Sequence, residues 1–546
     1  MNYFYKEKTY LIIIIKTAKT ATVYEKMSTA EKFKRYLQRT GLDCKDYQVK
    51  GVEWCVEHET NGYKIQQEEE ITTIEITTIK GGIIADEMGL GKTIQMLGTI
   101  VSNFKMQTLI VLPKALLEQW RQVIIKTLGH QPLMYHHFTS HKKKLEIIEK
   151  LKRSPIVLTT YGMIAINKKR KNIPNPLHHI EWDRVIYDEA HHLRNSSTGE
   201  YGGALKIKAQ ISWLVTGTPI QNKADDLYSL FDILKIPRKA YTKSEDALDL
   251  LVSQVILHRT KESVGLILPP LTIETHQVKW ETNAEKKTAR RYHKDISMCI
   301  AEAAAVAAAD EEQLSMFLAM LRSRQTCILS ALMEYNKLQY NIQKHIEKIN
   351  SSKTNAVIEK IVERKDNGKK KIIFCHFRGE IDYIKAQLMT THQIKVAVID
   401  GRTPEGERRE ILQEAKAQAK QPQAKAQAKQ PQAKQEEQEQ QEQAQAQAEQ
   451  QIQVLILQIQ TGCEGLNLQT YSEVYFVSPH WNPAVEDQAI ARCHRIGQKE
   501  ETAVFRFQMD GFDEANMDQV KKTQSLDEYI SSVQLLKREI VKQMLW

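Results

Sequence analysis

The chain has 546 residues, 42% of them hydrophobic and 26% charged, a balance that suits an intracellular globular protein of two to four domains, each able to bury a real core. The formal net charge of +10 fits a polyanionic partner and is spread over the whole length. A membrane partner is not expected, because the N-terminal apolar run Leu11–Ile15 is far short of the roughly 20 residues that cross a bilayer.

Lys residues precede that run and give it some likeness to a signal peptide, but it is shorter than an apolar signal core and no small-residue cleavage site follows. "MSTAEKFKRYLQRTGL" then reads as a fresh start at Met27, so residues 1–26 are expected to be dispensable and 1–41 to form an N-terminal extension. Seven cysteines, at 44, 55, 299, 327, 375, 463 and 493, show no C-x-x-C spacing and read as reduced structural thiols. The adjacent pairs His136-His137, His178-His179 and His191-His192 do not share a helix face, which argues against zinc.

"GGIIADEMGLGKTIQML" (Gly81–Leu97) runs apolar segment, Gly-rich turn, helical pattern, the order of strand, loop and helix. In a phosphate-binding loop of this kind main-chain N–H groups point into the turn and the helix N-terminus adds positive potential. Lys92 would reach the β- and γ-phosphates of a nucleotide, and the Thr93 hydroxyl would hold Mg²⁺. The generic pattern G-x-x-x-x-G-K-[ST] asks for Gly at position 86, where this chain has Asp86; Gly89 and Gly91 remain where the backbone must turn. On that pattern alone, a chance Gly-rich turn stays open.

"RVIYDEAHH" (Arg184–His192) is an apolar strand ending in two carboxylates. A metal-bound nucleotide needs one acidic group to orient Mg²⁺ and its water shell, and a second to place or activate the attacking water. Asp188 suits the first role and Glu189 the second.

With these two motifs in order, the sequence resembles the Swi/Snf-type DNA-dependent ATPases, helicase-like motors of superfamily 2. "DCKDYQVKGVEW" resembles the family's adenine-reading segment, which implies Gln48 as the adenine contact, and "ADEMGLGKTIQ" resembles its phosphate loop, where the family also carries Asp at the departing position. "TLIVLPKALLEQW" (Thr108–Trp120) is similar to a strand and turn that touch DNA, and "TGTPIQN" (Thr216–Asn222) to the segment that couples hydrolysis to movement. "ILHRTKE" (Ile256–Glu262) and "LPP" (Leu268–Pro270) resemble the exit from the first motor lobe. "SSKTNAVIEKI" (Ser351–Ile361) and "KIIFCHFRGEIDYI" (Lys371–Ile384) are similar to the opening of the second lobe, and "QTGCEGLNL" (Gln460–Leu468) to a loop facing DNA and nucleotide, with Cys463 where the family usually has Gly. "SPHWNPAVEDQAIARCHRIGQ" (Ser478–Gln498) is the most specific stretch, and "SLDEYISSVQLLKREIVKQML" (Ser525–Leu545) resembles a helix that braces the two lobes. "RSRQTCIL" (Arg322–Leu329) leans toward the subgroup of repair translocases and transcription-termination factors, here without a RING module.

In the last motif Gln488, Arg492 and Arg495 follow at spacings of four and three, which on a helix share one face. Guanidinium groups there can neutralise charge on a transferring phosphoryl group. The resemblance implies that they act from the second lobe when the lobes close. The basic runs "HKKKLEIIEKLKR" and "NKKRKN" (Asn167–Asn172) are read as solvated surface, and the resemblance makes Lys114 and the loops at Thr216 and Asn467 better DNA contacts.

Both motif-bearing halves alternate short apolar strands with helical stretches, the pattern of parallel sheets flanked by helices. The expected architecture is α/β, with two RecA-like lobes at 42–236 and 351–511. A helical protrusion or linker is expected over 237–350 and a C-terminal brace helix over 512–546. "AKAQAKQPQ", written twice from Ala415 to Gln432, opens a stretch to Gln453 with five Lys and five Glu. It lies between two strand patterns of one lobe, so it reads as a surface insertion within a sheet and not as a linker between domains. The resulting expectation is an ATP- and Mg²⁺-dependent translocase on double-stranded DNA that remodels protein–DNA complexes or serves repair or transcription, with nucleosomes or transcription machinery as candidate partners. A strand-separating helicase and a non-catalytic DNA-binding scaffold are the alternatives.

Overall fold

The computed structural model describes residues 26–68, 74–137, 144–166, 175–305, 310–334, 351–418, 452–462, 466–516 and 519–545. The chain divides into two compact units, 1–267 with 539–546, and 268–538. None of the described helices is long and apolar enough to cross a membrane.

The first unit opens with α1 (Thr29–Thr40) and α2 (Asp46–Thr60). Ser28 caps α1 by a reciprocal pair of bonds with Glu31, satisfying two donors that a helix start leaves open. A hairpin of β1 (Tyr63–Glu68) and β2 (Ile74–Ile79) follows. The remaining strands are β3 (Gly81–Ile84), β4 (Thr108–Leu112), β5 (Leu133–Tyr135), β6 (Ile156–Thr160), β7 (Glu181–Asp188), β8 (Lys208–Val215) and β9 (Ile256–Leu257). They form one sheet in the order β5-β6-β4-β7-β8-β3-β9, with every pairing parallel.

A parallel sheet is covered on both faces, so its strands must be apolar on both. Side chains alternate in β4: Leu109 and Val111 enter one core cluster, Ile110 and Leu112 the other. Burying each such side chain contributes about 1.5–3 kcal/mol. The second cluster also contains Phe33, Tyr36 and Leu37 of α1, so the expected N-terminal extension 1–41 is corrected: α1 puts these three residues into the core of the first unit. The amphipathic spacing of "FKRYL" carried that signal. The run Leu11–Ile15 lies outside the described residues.

In the second unit β10 (Leu271–Val278) leads to helices α5 (Asn283–Ala305) and α6 (Asp310–Ile328). Then come α7 (Ser352–Glu363), β11 (Lys371–Cys375), α8 (Arg378–Ala386), β12 (Val396–Ile399), β13 (Val454–Gln458), β14 (Glu473–Phe476), α9 (Pro483–Cys493) and β15 (Thr502–Met509). The sheet order is β10-β15-β14-β11-β13-β12, again parallel throughout. Val454 and Ile456 of β13 face one core cluster, Leu455 and Leu457 the other. A hairpin of β16 (Phe512–Asn516) and β17 (Gln519–Thr523) precedes α10 (Leu526–Leu545).

Two expected boundaries differ. The 237–350 segment is not only helical: β9 joins the first sheet and β10 the second, because each sheet has an edge strand to complete. "LPP" directly follows the end of the first unit at residue 267; there His494 Nε2 lies 2.8 Å from the Pro269 carbonyl and the Thr502 N–H donates to that of Pro270 at 2.9 Å. The 512–546 segment opens with a hairpin and not with helix. The strands on either side of the repeat, β12 and β13, pair directly within one sheet; residues 419–451, most of the repeat and the stretch after it, lie outside the described residues.

Candidate nucleotide site

Because every strand of the first sheet runs the same way, the segments after β3, β7, β8 and β9 emerge at one edge. Ligands of open parallel sheets bind at this carboxyl edge. Register brings Ile84 and Asp188 level with each other, both opposite Val215.

The loop after β3 turns at Gly89 and Gly91, with φ of 97° and 84°. A side chain at 91 would be strained at that φ and would collide with Gln48 Nε2, so only glycine lets loop and α2 approach this closely. Gln48 is buried and donates from Nε2 to the Leu90 carbonyl at 3.0 Å. Gly91 caps α3 (Lys92–Ser102), whose first-turn N–H groups have no partner within the helix. Lys92 and Thr93 are half-buried in that turn, and Lys92 Nζ donates to the Asp86 carbonyl at 2.7 Å.

Asp188 ends β7, with its carboxylate held by the Trp120 indole N–H (2.7 Å) and by the Glu189 N–H (3.1 Å). Trp120 comes from α4 (Leu117–Leu128), which starts just after the Lys114 turn. Burial, then the neighbouring Glu189 carboxylate, pushes Asp188 up to about 7, while the Trp120 N–H and the Lys92 ammonium pull it down. Glu189 adopts a left-handed backbone, φ 53° and ψ 50°. Such strain in a non-glycine residue persists where surroundings impose it and clusters at functional sites. The Glu189 carboxylate lies 3.4 Å from His191 Nδ1, which lies 3.4 Å from Thr216 Oγ1. Thr216 Oγ1 accepts the Thr218 N–H at 3.1 Å, Gln221 Nε2 donates to Thr218 Oγ1 at 3.0 Å, and Arg194 donates to Gln221 Oε1. The carboxylate pair is thus wired to "TGTPIQN".

The donor set fits a nucleotide with Mg²⁺. That ion takes hard oxygen ligands, commonly one or two carboxylates completed by substrate phosphates and water. Asp188 and the Thr93 hydroxyl are of that kind, and no cluster of three or more His, Cys, Asp or Glu gathers among the described residues.

In the second unit α9 ends at Cys493, so Arg495 is not on the helix with Gln488 and Arg492 as their spacing predicts. The chain leaves the helix at His494, whose ring is tied to the Pro269 carbonyl, and turns at Gly497 with φ 99°. Arg495 follows in the turn, where burial and the adjacent Arg492 guanidinium lower its proton affinity. Gln488 Nε2 and Arg495 Nε are buried without a hydrogen-bond partner among the described residues.

Of the expected DNA contacts, Lys114 and Asn467 are exposed. Thr216 is corrected: it is fully buried and its hydroxyl serves the relay to Glu189, because it directly follows β8, an interior strand of the sheet. "NKKRKN" and Cys463 lie outside the described residues. Sequence reasoning missed Trp120 as the partner of Asp188, and Arg259, described below. A buried Asp86 in a glycine position was the signal that a cation must come from elsewhere.

Two parallel-sheet units, the first with a phosphate-type loop and an acid pair at one sheet edge, define the class of helicase-like nucleotide motors. A match to the SNF2-related domain covers residues 47–332, and one to the helicase conserved C-terminal domain covers 352–424 and 418–497, two pieces that meet in the repeat. The chain belongs to the SNF2-related family of helicase-like ATPases. It is 26% identical over 519 residues to an uncharacterised ATP-dependent helicase of Mycoplasma genitalium, covering 91% of this chain and 42% of that protein. It is 25% identical over 489 residues to a probable global transactivator of Orgyia pseudotsugata multicapsid polyhedrosis virus, covering 85% and 86%. It thus spans about two fifths of the bacterial relative and most of the viral one. Among solved structures, the Sulfolobus solfataricus SWI2/SNF2 ATPase core in complex with dsDNA is 22% identical, with a TM-score of 0.36 and coverage of 92% and 93%.

Proposed function

We propose that the chain is an ATP-hydrolysing translocase on double-stranded DNA that remodels protein–DNA complexes or serves repair or transcription. The observation that carries the nucleotide chemistry is the convergence of Lys92, Asp188 and Glu189 on one sheet edge. Membership of the SNF2-related family supports the motor reading and the choice of a nucleic-acid track.

In this reading Lys92 and the N–H groups of the Gly89–Thr93 turn bind the phosphates, and Gln48 meets the adenine. Asp188 and Thr93 would hold Mg²⁺, which when bound would supply charge neutralisation for the phosphates. Glu189 places the attacking water and passes its change of contacts through His191 and Thr216 to the 216–222 segment. Gln488, Arg492 and Arg495 neutralise charge on the transferring phosphoryl group, so that hydrolysis can be tied to a change of grip on DNA. Lys114 and the loop at Asn467 bear on the phosphate backbone, with salt-dependent, nearly sequence-independent binding.

The test is the ATPase rate with and without duplex DNA, for the parent and for Glu189→Gln. Loss of orders of magnitude in rate with DNA affinity retained supports the assignment; an unchanged rate overturns it. Triplex displacement without unwinding of a forked duplex separates a duplex translocase from a strand-separating helicase.

A further inference from the structure

Asp86 takes the place of a glycine in the generic phosphate loop, and its side chain is fully buried. Arg259, two residues past β9, meets it with both ends of its fork: Nε donates to Oδ1 at 2.9 Å and one terminal nitrogen to Oδ2 at 2.5 Å. The same terminal nitrogen donates to Gln95 Oε1 at 2.8 Å, and Gln95 Nε2 closes the ring by donating to Asp86 Oδ2 at 2.9 Å. The other terminal nitrogen donates to the Tyr47 carbonyl at 2.5 Å, and the guanidinium lies over the Tyr47 ring, 5.6 Å from its centre.

One planar group therefore touches two halves of the proposed ATP site. On one side is Asp86, whose carbonyl accepts from Lys92. On the other is Tyr47, the residue before Gln48. The backbone reinforces this bracket: the Ala85 N–H donates to the Leu257 carbonyl and the Glu87 N–H to the Arg259 carbonyl, both at 2.8 Å. Glu87 in turn accepts from the Lys261 N–H at 2.7 Å and pairs with its ammonium at 2.8 Å. A second observation locates the bracket against α2. A methyl group at Gly51 would strike Gln95 Oε1 and come within 2.8 Å of the Arg259 guanidinium.

We propose that Arg259 is a positioning residue that sets the spacing between the base-reading end of α2 and the phosphate loop, and through it the preference of the site for ATP. The inference rests on the ATP reading above and deepens it. Lys at 259 would keep the charge but could not reach Asp86, Gln95 and Tyr47 at once, because only arginine presents a rigid fork. Gly51→Ala would remove no polar group but would push the bracket off α2.

The experiment uses the full chain with duplex DNA, comparing the parent, Arg259→Lys and Gly51→Ala for steady-state hydrolysis of ATP and GTP. Binding of fluorescent ATP and GTP analogues is measured alongside, with melting temperature and DNA affinity as checks on folding. A small misplacement of a substrate-holding group costs on the order of 10–100-fold in kcat/KM. We expect that loss in both variants, carried by KM and analogue affinity more than by kcat, with a narrower ATP-over-GTP ratio. Folded variants with the parent's KM and ratio would overturn the proposal, as would a loss confined to kcat. A parent that binds neither analogue would overturn the ATP reading itself, and this inference with it, before any variant is compared.

Discussion

Lys353 and Asp527 form an ion pair in which neither side chain is exposed to solvent. It joins α7 to the second residue of α10. Asp527→Asn would keep the acceptor for the Met509 N–H, now at 2.9 Å, but would remove the negative charge that, among the described residues, is bonded to the Lys353 ammonium, leaving it the Ser478 hydroxyl at 2.6 Å. Breaking one side of a buried pair costs about 3–5 kcal/mol, since the orphaned charge keeps its desolvation penalty and loses its compensation. In hydrogen exchange that corresponds to a loss of roughly 10²–10⁴-fold in protection. The amides to follow are those of β15 and of Leu526–Ile530. Glu380 adds a pH signature. Burial pushes its carboxyl up to about 7 and Lys353 pulls it down, so the two groups sense each other. At pH 8.5 an ionised Glu380 partly offsets the orphaned ammonium, and at pH 6 it does not, so the loss should be larger at the lower pH. Lys353→Met combined with Asp527→Asn should recover most of the protection. A loss under about tenfold, or a double variant no better than the single one, would refute the assignment of an energetically coupled buried pair.

Glu380 itself should shape the stability of the second unit. Its folded-state proton affinity lies above the ordinary carboxylate value, so between about pH 4.5 and 7 the folded chain holds a proton that the unfolded chain has released. Stability should therefore fall as pH rises through that window, by about 3 kcal/mol at most, and level off above it. Glu380→Gln should flatten the fall while still accepting the His376 and Phe377 N–H groups; parallel urea midpoints for parent and variant at pH 5 and 8 would show otherwise. A chain begun at Met27 should fold like the parent, whereas one begun at Leu42 strips Phe33, Tyr36 and Leu37 from the core and should be recovered insoluble or with a markedly lowered melting temperature.

Much of the fold could be read locally. Apolar runs of four to eight residues alternating with helical stretches are enough to indicate parallel sheets, because both faces of such strands must be apolar, and β4 and β13 show this. The phosphate loop and the acid pair were legible for a similar reason: their chemistry depends on residue types at short spacings, from Gly89 to Thr93 and from Asp188 to Glu189. The repeat, too, could be placed within one lobe from its flanks, since β12 and β13 proved to be neighbours.

Other features depend on approaches between residues far apart in the chain, and no local pattern encodes those. Arg495 kept its helical spacing on paper but left the helix because the Pro269 carbonyl, more than two hundred residues earlier, holds His494 in the turn. Thr216 looked like a loop residue available to DNA, yet its place directly after the interior strand β8 buries it among His191 and Thr218. Asp86 departs from the generic glycine pattern, and only the fold shows its partner, Arg259, 173 residues on. Short-range patterns set which strands, helices and turns can form, through steric preference and side-chain periodicity. Packing then determined which charges meet, because a buried carboxylate is tolerated only where a distant cation or N–H reaches it.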